Sequence, residues 1–283
     1  MLSDLVSRML AQKLTESTGQ PVVVDNRPGG AAQIAAAQLM QAPADGYTMM
    51  IGDIGALAIN ATLYTTLSYD ALRDFQAVTN VMSAPIVLIV PAKSPANSVA
   101  ELLAIGKGPA GRVVYASQGI GTGGHLVGEM FKSRSAATLD HVPYKGGAPA
   151  MQDLVAGQVD MLFEVMGAAL PQQRGGRVKI LAVAAPQRSP LVPDVPTMAE
   201  AGFPGVEMTV WFGMVVRAGT PEDVVRKLNA ELVAALRSPD IVKRLTDVGF
   251  DPAPTTPEAF ARLMKDETAR WGAVVKASGA KVD

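Results

Sequence analysis

Cysteine is absent from the 283 residues. This excludes disulfides, thiol nucleophiles and every metal site built on thiolates. Histidine is almost absent too, with only His125 and His141, and the sequence contains neither H-E-x-x-H nor the spacing of an EF-hand loop. We therefore expect no metal site.

Charge is also scarce, since Asp, Glu, Lys and Arg make up 18% of the chain and leave a net charge of -1. Without a basic surface to attract phosphates, nucleic acid is not an expected partner. The longest apolar runs, 84–92 and 208–216, are much shorter than the roughly 18 residues that cross a bilayer. Asp4 and Arg8 interrupt the first apolar stretch, so it does not resemble a signal peptide.

Apolar residues reach 48%, which is enough for a sizeable core, and their spacing alternates between strand and helix periods. A helix capped at Ser3 or Asp4 is predicted to end at Gly19. Further helices are predicted at 31–41, 99–107, 125–132, 148–156, 168–174 and from Pro221, Pro239 and Pro257. Strands are predicted at 22–24, 47–51, 75–81, 85–90, 113–116, 139–142, 161–163, 180–183 and 206–216. This alternation predicts an α/β protein with parallel sheets covered by helices on both faces.

The two longest apolar strand regions bracket the middle of the chain, which suggests that the chain crosses between two lobes there. Residues 1–94 and 217–283 are predicted to form lobe 1, and residues 95–216 lobe 2. Ligands of such sheets bind beyond the carboxyl ends of the strands, so we expect a site in the cleft between the lobes.

One glycine-rich segment offers a candidate site, Gly119-Ile120-Gly121-Thr122-Gly123-Gly124, between a predicted strand and a predicted helix. It matches G-x-G-x-x-G, and Asp140 follows at a distance suited to a dinucleotide fingerprint. No second nucleotide-binding half accompanies it. The segment fits equally well a loop whose amides, with the next helix N-terminus, bind a carboxylate, or a glycine turn without ligand.

The remaining polar candidates are weaker. His125, at the predicted helix start, is suited to bind a ligand, although a capping or packing role is the commoner one. His141 is expected to pack within a strand. Glu164 follows an apolar strand at its carboxyl end, where a cleft residue would lie. Neither a nucleophile elbow nor a Walker loop occurs, so the residues indicate binding without a reaction.

Several longer strings resemble the Bug or TctC-like substrate-binding proteins of tripartite tricarboxylate transporters, over nearly the whole chain. They occur in the family's order and are more specific together than any single motif. The strings are G-Q-P-V-V-V-D-N-R-P-G-G at 19–30, P-A-D-G-Y-T at 43–48, H-V-P-Y-K-G at 141–146, D-L-V-A-G-Q-V-D at 153–160, R-S-P at 188–190, P-D-V-P-T at 193–197, W-F-G at 211–213 and A-G-T-P at 218–221.

The resemblance implies a two-lobed, type II periplasmic-binding-protein-like fold, each lobe a mostly parallel sheet flanked by helices. It implies a periplasmic, monomeric protein that needs no cofactor. Its lobes would close by a hinge near 90–95 and 212–217 over a small carboxylate, which passes to the membrane subunits of the transporter.

The resemblance also assigns ligand-facing loops. The loop S-x-G-x-G-[ST]-x-x-H is intact at 117–125, and the candidate residues of lobe 2 are Ser117, Gly121, Thr122, Gly123, His125, Tyr144 and Glu164. Those of lobe 1 are Asp4, Gly52, Asp53 and Gly55. Asp53 replaces the usual Thr and Leu57 a common His, so the extra carboxylate either weakens anion binding or recognises a ligand ammonium group.

The chain departs from the family at its start. Members carry a signal peptide, a first strand and a loop P-F-x-x-G-G-x-x-D, of which only the final Asp4 is present here. We expect a shortened gene model or a fragment, in which the first strand is missing from the interior of the sheet of lobe 1. Its loss would leave neighbouring backbone groups unpaired.

Two functions follow. The first is a non-catalytic binding protein for a tricarboxylate, a dicarboxylate or an amino acid. The alternative is an NAD-dependent oxidoreductase that uses the loop 119–124, which explains one loop and leaves the other strings unexplained.

Overall fold

The computed structural model describes residues 2–107 and 111–282. Its helices are α1 (Leu2–Thr18), α2 (Gln33–Gln41), α3 (Asn60–Leu63), α4 (Ala71–Asp74), α5 (Val99–Lys107), α6 (Gly123–Arg134), α7 (Gly147–Ala156), α8 (Met166–Arg174), α9 (Glu222–Leu236), α10 (Pro239–Asp247) and α11 (Pro257–Ser278). Its strands are β1 (Met49–Asp53), β2 (Phe75–Pro91), β3 (Val113–Ser117), β4 (Leu139–Pro143), β5 (Met161–Val165), β6 (Val178–Ala184), β7 (Thr209–Arg217) and β8 (Asp251–Pro252).

Most predicted elements occur within a few residues of their expected bounds, and three differences have physical causes. The strand predicted at 22–24 does not form, and Val23 is 85% exposed. The predicted helix 31–41 begins only at Gln33, because Ala31 and Ala32 have positive φ angles of 50° and 71°. The strands predicted at 75–81 and 85–90 are one strand, β2, since Ser83 pairs with Asp251 and continues the extended chain.

The chain divides into two compact units. One contains residues 2–83 with Trp211–Ala273, and the other contains Ala84–Val210 with Val274–Val282. The boundaries fall inside β2 and β7, earlier than the predicted 94/95 and 216/217, because each of these strands runs from one unit into the other. The ends of predicted lobe 1, residues 1 and 283, lie outside the described residues.

The first unit contains a sheet in the order β1, β7, β2, with β8 also paired to β2. The β1–β7 and β8–β2 pairs are antiparallel, where the sequence predicted mainly parallel strands. In its core the Trp211 ring meets the edge of Phe260 with centroids 5.6 Å apart. Trp271 is fully buried and donates from Nε1 to Glu267 at 2.7 Å.

The second unit contains a mixed sheet in the order β6, β2, β5, β3, β4. Strands β4 and β5 pair with β3 in parallel, as predicted, whereas β2 is antiparallel to both β5 and β6. A core that includes Val87, Ala150 and Leu162 lies on this sheet beneath α7 and α8. Phe163 packs edge-on against Phe131 of α6, with centroids 5.8 Å apart. No helix in the described part of the chain is long and apolar enough to cross a membrane.

Candidate ligand site

Three helices of the second unit begin where three neighbouring parallel strands end. β3 leads through a glycine loop into α6, β4 leads through a short turn into α7, and β5 passes directly into α8. Each helix N-terminus presents backbone N–H groups and the positive end of the helix dipole. This edge of the sheet is therefore suited to bind an anion.

The glycine loop between β3 and α6, together with the last residue of β3 and the first of α6, contains four of the predicted site residues. Gly119 and Gly121 have φ angles of 136° and 78°, which glycine adopts without strain. The Ser117 hydroxyl accepts from the Gly119 amide at 3.2 Å, and Thr122 Oγ1 donates to the Gly119 carbonyl at 2.7 Å. The loop is thus fixed by its own side chains, and Gly123 opens the helix.

Gln118 links the glycine loop to β5, a role that the sequence analysis missed. Its Nε2 donates to the Phe163 carbonyl at 2.8 Å. A Cβ atom at Gly124 would lie 2.3 Å from Gln118 Oε1 and 2.5 Å from the Phe163 carbonyl, so only glycine fits there. The glycines around Gln118 were the available signal, but they did not show that the side-chain amide of Gln118 bonds to the Phe163 carbonyl.

His125 lies in the first turn of α6 and is buried. Its Nδ1 accepts from the Gly121 amide at 3.1 Å. His125 was predicted to bind ligand, but this bond shows that it stabilises the glycine loop. The same bond occupies the amide of Gly121, another predicted site residue. Burial lowers the pKa of His125, so the ring is neutral at pH 7.

Tyr144 joins the next loop to the glycine loop. Its amide donates to the Ser117 carbonyl at 3.0 Å, which brings this predicted site residue next to the others. Its hydroxyl donates to Asp153 at 2.7 Å. Desolvation and the Asp153 carboxylate raise the pKa of Tyr144 to about 12.

Glu164 near the end of β5 is only 6% exposed, so it is more buried than its predicted position in a cleft implies. Its Oε1 accepts from the Val165 amide at 2.8 Å, and a Cβ atom at Gly147 would lie 3.0 Å from its Oε2. Gly147 thus lets α7 begin beside this carboxyl. Burial raises the pKa of Glu164, whereas a hydrogen bond with Gln118 opposes that rise.

In the first unit, the predicted residues Gly52, Asp53 and Gly55 lie at the end of β1. Asp53 Oδ1 accepts from the Ala56 amide at 2.9 Å and so holds the turn that follows the strand. Its side chain is exposed. A Cβ atom at Gly52 would lie 2.8 Å from Leu57, which occupies the space that glycine leaves.

Asp4 lies in the first turn of α1 and is linked to the segment that follows this helix. Its carboxylate accepts from Asn26 Nδ2 at 2.6 Å and pairs with Arg8 at 3.0 Å. These two partners, Asn26 first, hold the pKa of Asp4 below its ordinary value. Asp4, Gly52 and Asp53 line one cavity, whereas Gly55 is not among its lining residues.

This cavity of about 920 Å³ is lined by residues of α1, 22–29, α2 and 47–53, together with Phe212 and Met214 of β7. β1 is the end strand of the described sheet and pairs with β7.

Within residues 2–107 and 111–282, no group of three or more His, Asp or Glu side chains is placed to hold a metal ion.

The sequence matches a known protein family. Residues 6–280 match the family described as the tripartite tricarboxylate transporter family receptor, TctC. The protein BugT of Bordetella pertussis is 36% identical over 281 residues, which cover 99% of this chain and 86% of BugT.

Two solved structures extend the comparison. Rpa4515 of R. palustris with adipate is 36% identical with a TM-score of 0.86, over 99% of this chain and 94% of that one. MatC (Rpa3494) of Rhodopseudomonas palustris with bound malate is 32% identical with a TM-score of 0.81, over 96% of this chain and 94% of that one. The fold is therefore that of the two-lobed periplasmic binding proteins.

Proposed function

Because the chain belongs to the family of tripartite tricarboxylate transporter receptors, we propose that it captures a small carboxylate in the periplasm and delivers it to the membrane subunits of such a transporter. As a member of this family it is a solute-binding protein, and its relatives and structural neighbours are binding and transport proteins. The ligand, the compartment and the transporter are the parts that we propose.

The observation that carries the proposal is the edge where α6, α7 and α8 begin around the glycine loop. These helices have 12, 10 and 9 residues, long enough for each to present a dipole at its first turn. Gly119 and Gly121 keep side chains away from the backbone of the loop, so a carboxylate has close access to it. The Thr122 hydroxyl adds a polar group at the start of α6.

Two similar structures favour a dicarboxylate as the ligand, since one was solved with adipate and the other with malate. Asp53 keeps an amino acid within the proposal, because its exposed carboxylate is suited to pair with an ammonium group. We propose that ligand closes two lobes of a monomer, with hinges near 90–95 and 212–217. A ligand that contacts both lobes only in the closed form would shift the equilibrium toward closure.

The alternative of an NAD-dependent oxidoreductase loses its main support. A dinucleotide fingerprint needs its acidic residue near the carboxyl end of the second strand, beside the glycine loop. Asp140 is the second residue of β4, opposite Val114, whereas Ser117 at the loop lies opposite Pro143. The Asp140 carboxylate instead pairs with Arg112 at 3.5 Å.

The direct test is titration calorimetry of the purified protein with malate, adipate, citrate and aspartate, and with NADH as a control. We expect saturable binding of at least one carboxylate and no binding of NADH. Failure of all four acids to bind a folded protein would contradict the proposal.

A substitution in the glycine loop makes the test specific to this site. Thr122→Val removes the hydroxyl that donates to Gly119, and we expect about a tenfold loss of affinity, the usual worth of one hydrogen bond. The matched control is Thr268→Val in α11, which removes a similar bond to the Met264 carbonyl at 2.7 Å. Equal loss of affinity in both variants would show that the loop is not the site.

A further inference from the structure

Two imidazole rings are stacked directly behind the glycine loop. The centroids of His125 and His141 lie 4.4 Å apart with the planes at 29°, and His141 in turn stacks on Tyr115 at 4.7 Å. The three rings come from α6, β4 and β3. They form a column that we call the imidazole stack, and each of its two histidines is hydrogen-bonded to the loop or to its anchoring serine.

The bond from Gly121 to His125 fixes the state of that ring. The Gly121 N–H donates to Nδ1, so Nδ1 carries a lone pair and, in the neutral ring, the proton resides on Nε2. A second proton would have to enter at Nδ1. Two donors would then face each other at 3.1 Å, and the Gly121 amide would have to turn away.

His141 acts on the other end of the loop through Ser117. Its Nε2 lies 2.7 Å from Ser117 Oγ, and the same oxygen accepts from the Gly119 amide at 3.2 Å. Ser117 is fully buried, so this pair is not open to a substrate and has no nucleophilic role. The contact with His141 instead orients the Ser117 hydroxyl, which accepts the hydrogen bond from the Gly119 amide.

The charged and titratable groups around the imidazole stack are few. On α6 they are Glu129 and Lys132, which lie 3.9 Å apart, and on β3 Tyr115 donates to Glu129. On β5 the carboxyl of Glu164 is bonded to the Val165 amide rather than to either imidazole. Glu129 is thus committed to Tyr115 and Lys132, so the rings have no carboxylate partner of their own in the described contacts.

We propose that His125 and His141 are positioning residues that hold the glycine loop in its ligand-binding geometry only while both rings are neutral, so that acidification releases the bound acid. The inference rests on the proposed function, since it assigns pH control to the same site. The contacts of Gly121 and Ser117 carry it. Protonation of His125 removes the acceptor of the Gly121 amide, and protonation of His141 makes Nε2 a donor only, so that the Ser117 hydroxyl can no longer donate to it.

The direction of the titration agrees with this geometry. Burial lowers the pKa of His141 to about 4, with a further contribution from the neighbouring His125, and burial also lowers the pKa of His125. Two cations 4.4 Å apart would repel each other, so the second ring protonates at lower pH than the first. The loop is therefore held at neutral pH and released only as the pH falls through the lowered pKa of the first ring to protonate, below the ordinary histidine value of about 6.5.

The first experiment needs no ligand. In the ¹⁵N-labelled full chain, NMR follows the histidine ring nitrogens and the Gly121 amide from pH 7.5 to pH 4. We expect the Nδ1 signal of His125 to be that of an unprotonated nitrogen at pH 7.5, and the Gly121 amide to shift with the same midpoint as the ring. A Gly121 amide that does not follow either histidine would overturn the proposal even if carboxylates bind well.

The second experiment measures malate and adipate affinity over the same pH range by calorimetry. In His125→Asn, the amide oxygen of Asn has a position similar to that of Nδ1 and accepts a bond without titrating. His141→Gln offers an amide to Ser117 in the same way. The matched variants His125→Ala and His141→Ala remove both the bond and the titration.

At pH 7.5 we expect the Ala variants to bind about tenfold more weakly than the wild type, and the amide variants to recover part of that loss. Between pH 7.5 and pH 4 the wild type should weaken by about threefold or more beyond His125→Asn, since protonation of the free site competes with binding. Ionisation of the ligand affects all proteins equally and cancels in this comparison.

Equal pH profiles for the wild type and both amide variants would contradict the proposal, provided that circular dichroism shows all proteins folded at pH 4. If none of the proteins binds either acid at any pH, the proposed function fails, and the NMR titration still decides whether the rings control the loop.

Discussion

The two units of the chain use the same kinds of elements, but β1 in the first unit and β2 in the second have different surroundings. In the first unit β1 is an end strand that borders a cavity of about 920 Å³. In the second unit β2 lies between β5 and β6, and Val87, Leu162 and Ala150 fill the space under α7 and α8. A strand with neighbours on both sides and a covered face is closely packed, so substitutions beside it should alter stability strongly. Side chains at an end strand beside a cavity have fewer packed neighbours, so substitutions there should alter stability less.

The sharpest test of this contrast removes a large side chain from the filled unit. Phe163→Ala deletes a ring that is fully buried and packed against Phe131, and we expect it to lower the free energy of unfolding by about 3–5 kcal/mol. Val23→Ala, at a residue 85% exposed beside the cavity, should change it by less than about 0.5 kcal/mol. Urea unfolding of both variants provides the measurement, and similar losses would show that the two regions are equally packed.

The opposite change adds volume. Ala150→Leu places three extra carbons in a core position with no exposure, and overpacking should cost about 1–3 kcal/mol. Ala35→Leu in α2 adds the same carbons on the wall of the cavity, where we expect a change of less than about 0.5 kcal/mol. Thermal unfolding distinguishes the two, and a larger loss for Ala35→Leu would mean that the cavity is not available to side chains.

A smaller effect contrasts two carboxylates, one from each unit, and depends on pH. The pKa of Glu164 is raised by burial, so its contribution to stability is present below its ordinary pKa and is lost as the pH rises. The pKa of Asp4 is lowered by Asn26 and Arg8, so its contribution is present above its ordinary pKa and is lost as the pH falls.

Glu164→Gln should therefore become more stable relative to the wild type as the pH rises from 4 to 7.5. Asp4→Asn should show the reverse, with its loss greatest at pH 7.5 and shrinking toward pH 3. Urea unfolding at several pH values follows both differences. A pH-independent difference for Glu164→Gln would show that this carboxyl has the same pKa folded and unfolded.

The second unit is also the part that the sequence predicts best. The predicted helix at 99–107 has the observed bounds, and the strands and helices from 113 to 184 are each displaced by only a few residues. Each of these elements has a glycine or proline within two residues of a boundary and a local apolar period, so its limits depend on nearby residues.

Predictions for the first unit fail where a strand depends on a distant partner. Residues 22–24 have the composition of a strand, but a strand forms only when another strand supplies its hydrogen bonds. The site shows the same limit: the glycine loop was found from its pattern, whereas Gln118 and the stacking of His125 on His141 depend on which strands lie side by side.

The placement of tryptophan has a practical consequence for all of these measurements. Both tryptophans of the chain, Trp211 and Trp271, belong to the first unit and are almost fully buried. Intrinsic indole fluorescence therefore monitors that unit, while circular dichroism averages over the whole chain. Coincidence of the two unfolding curves would mean that the units melt together, and separate midpoints would reveal which one melts first without any added label.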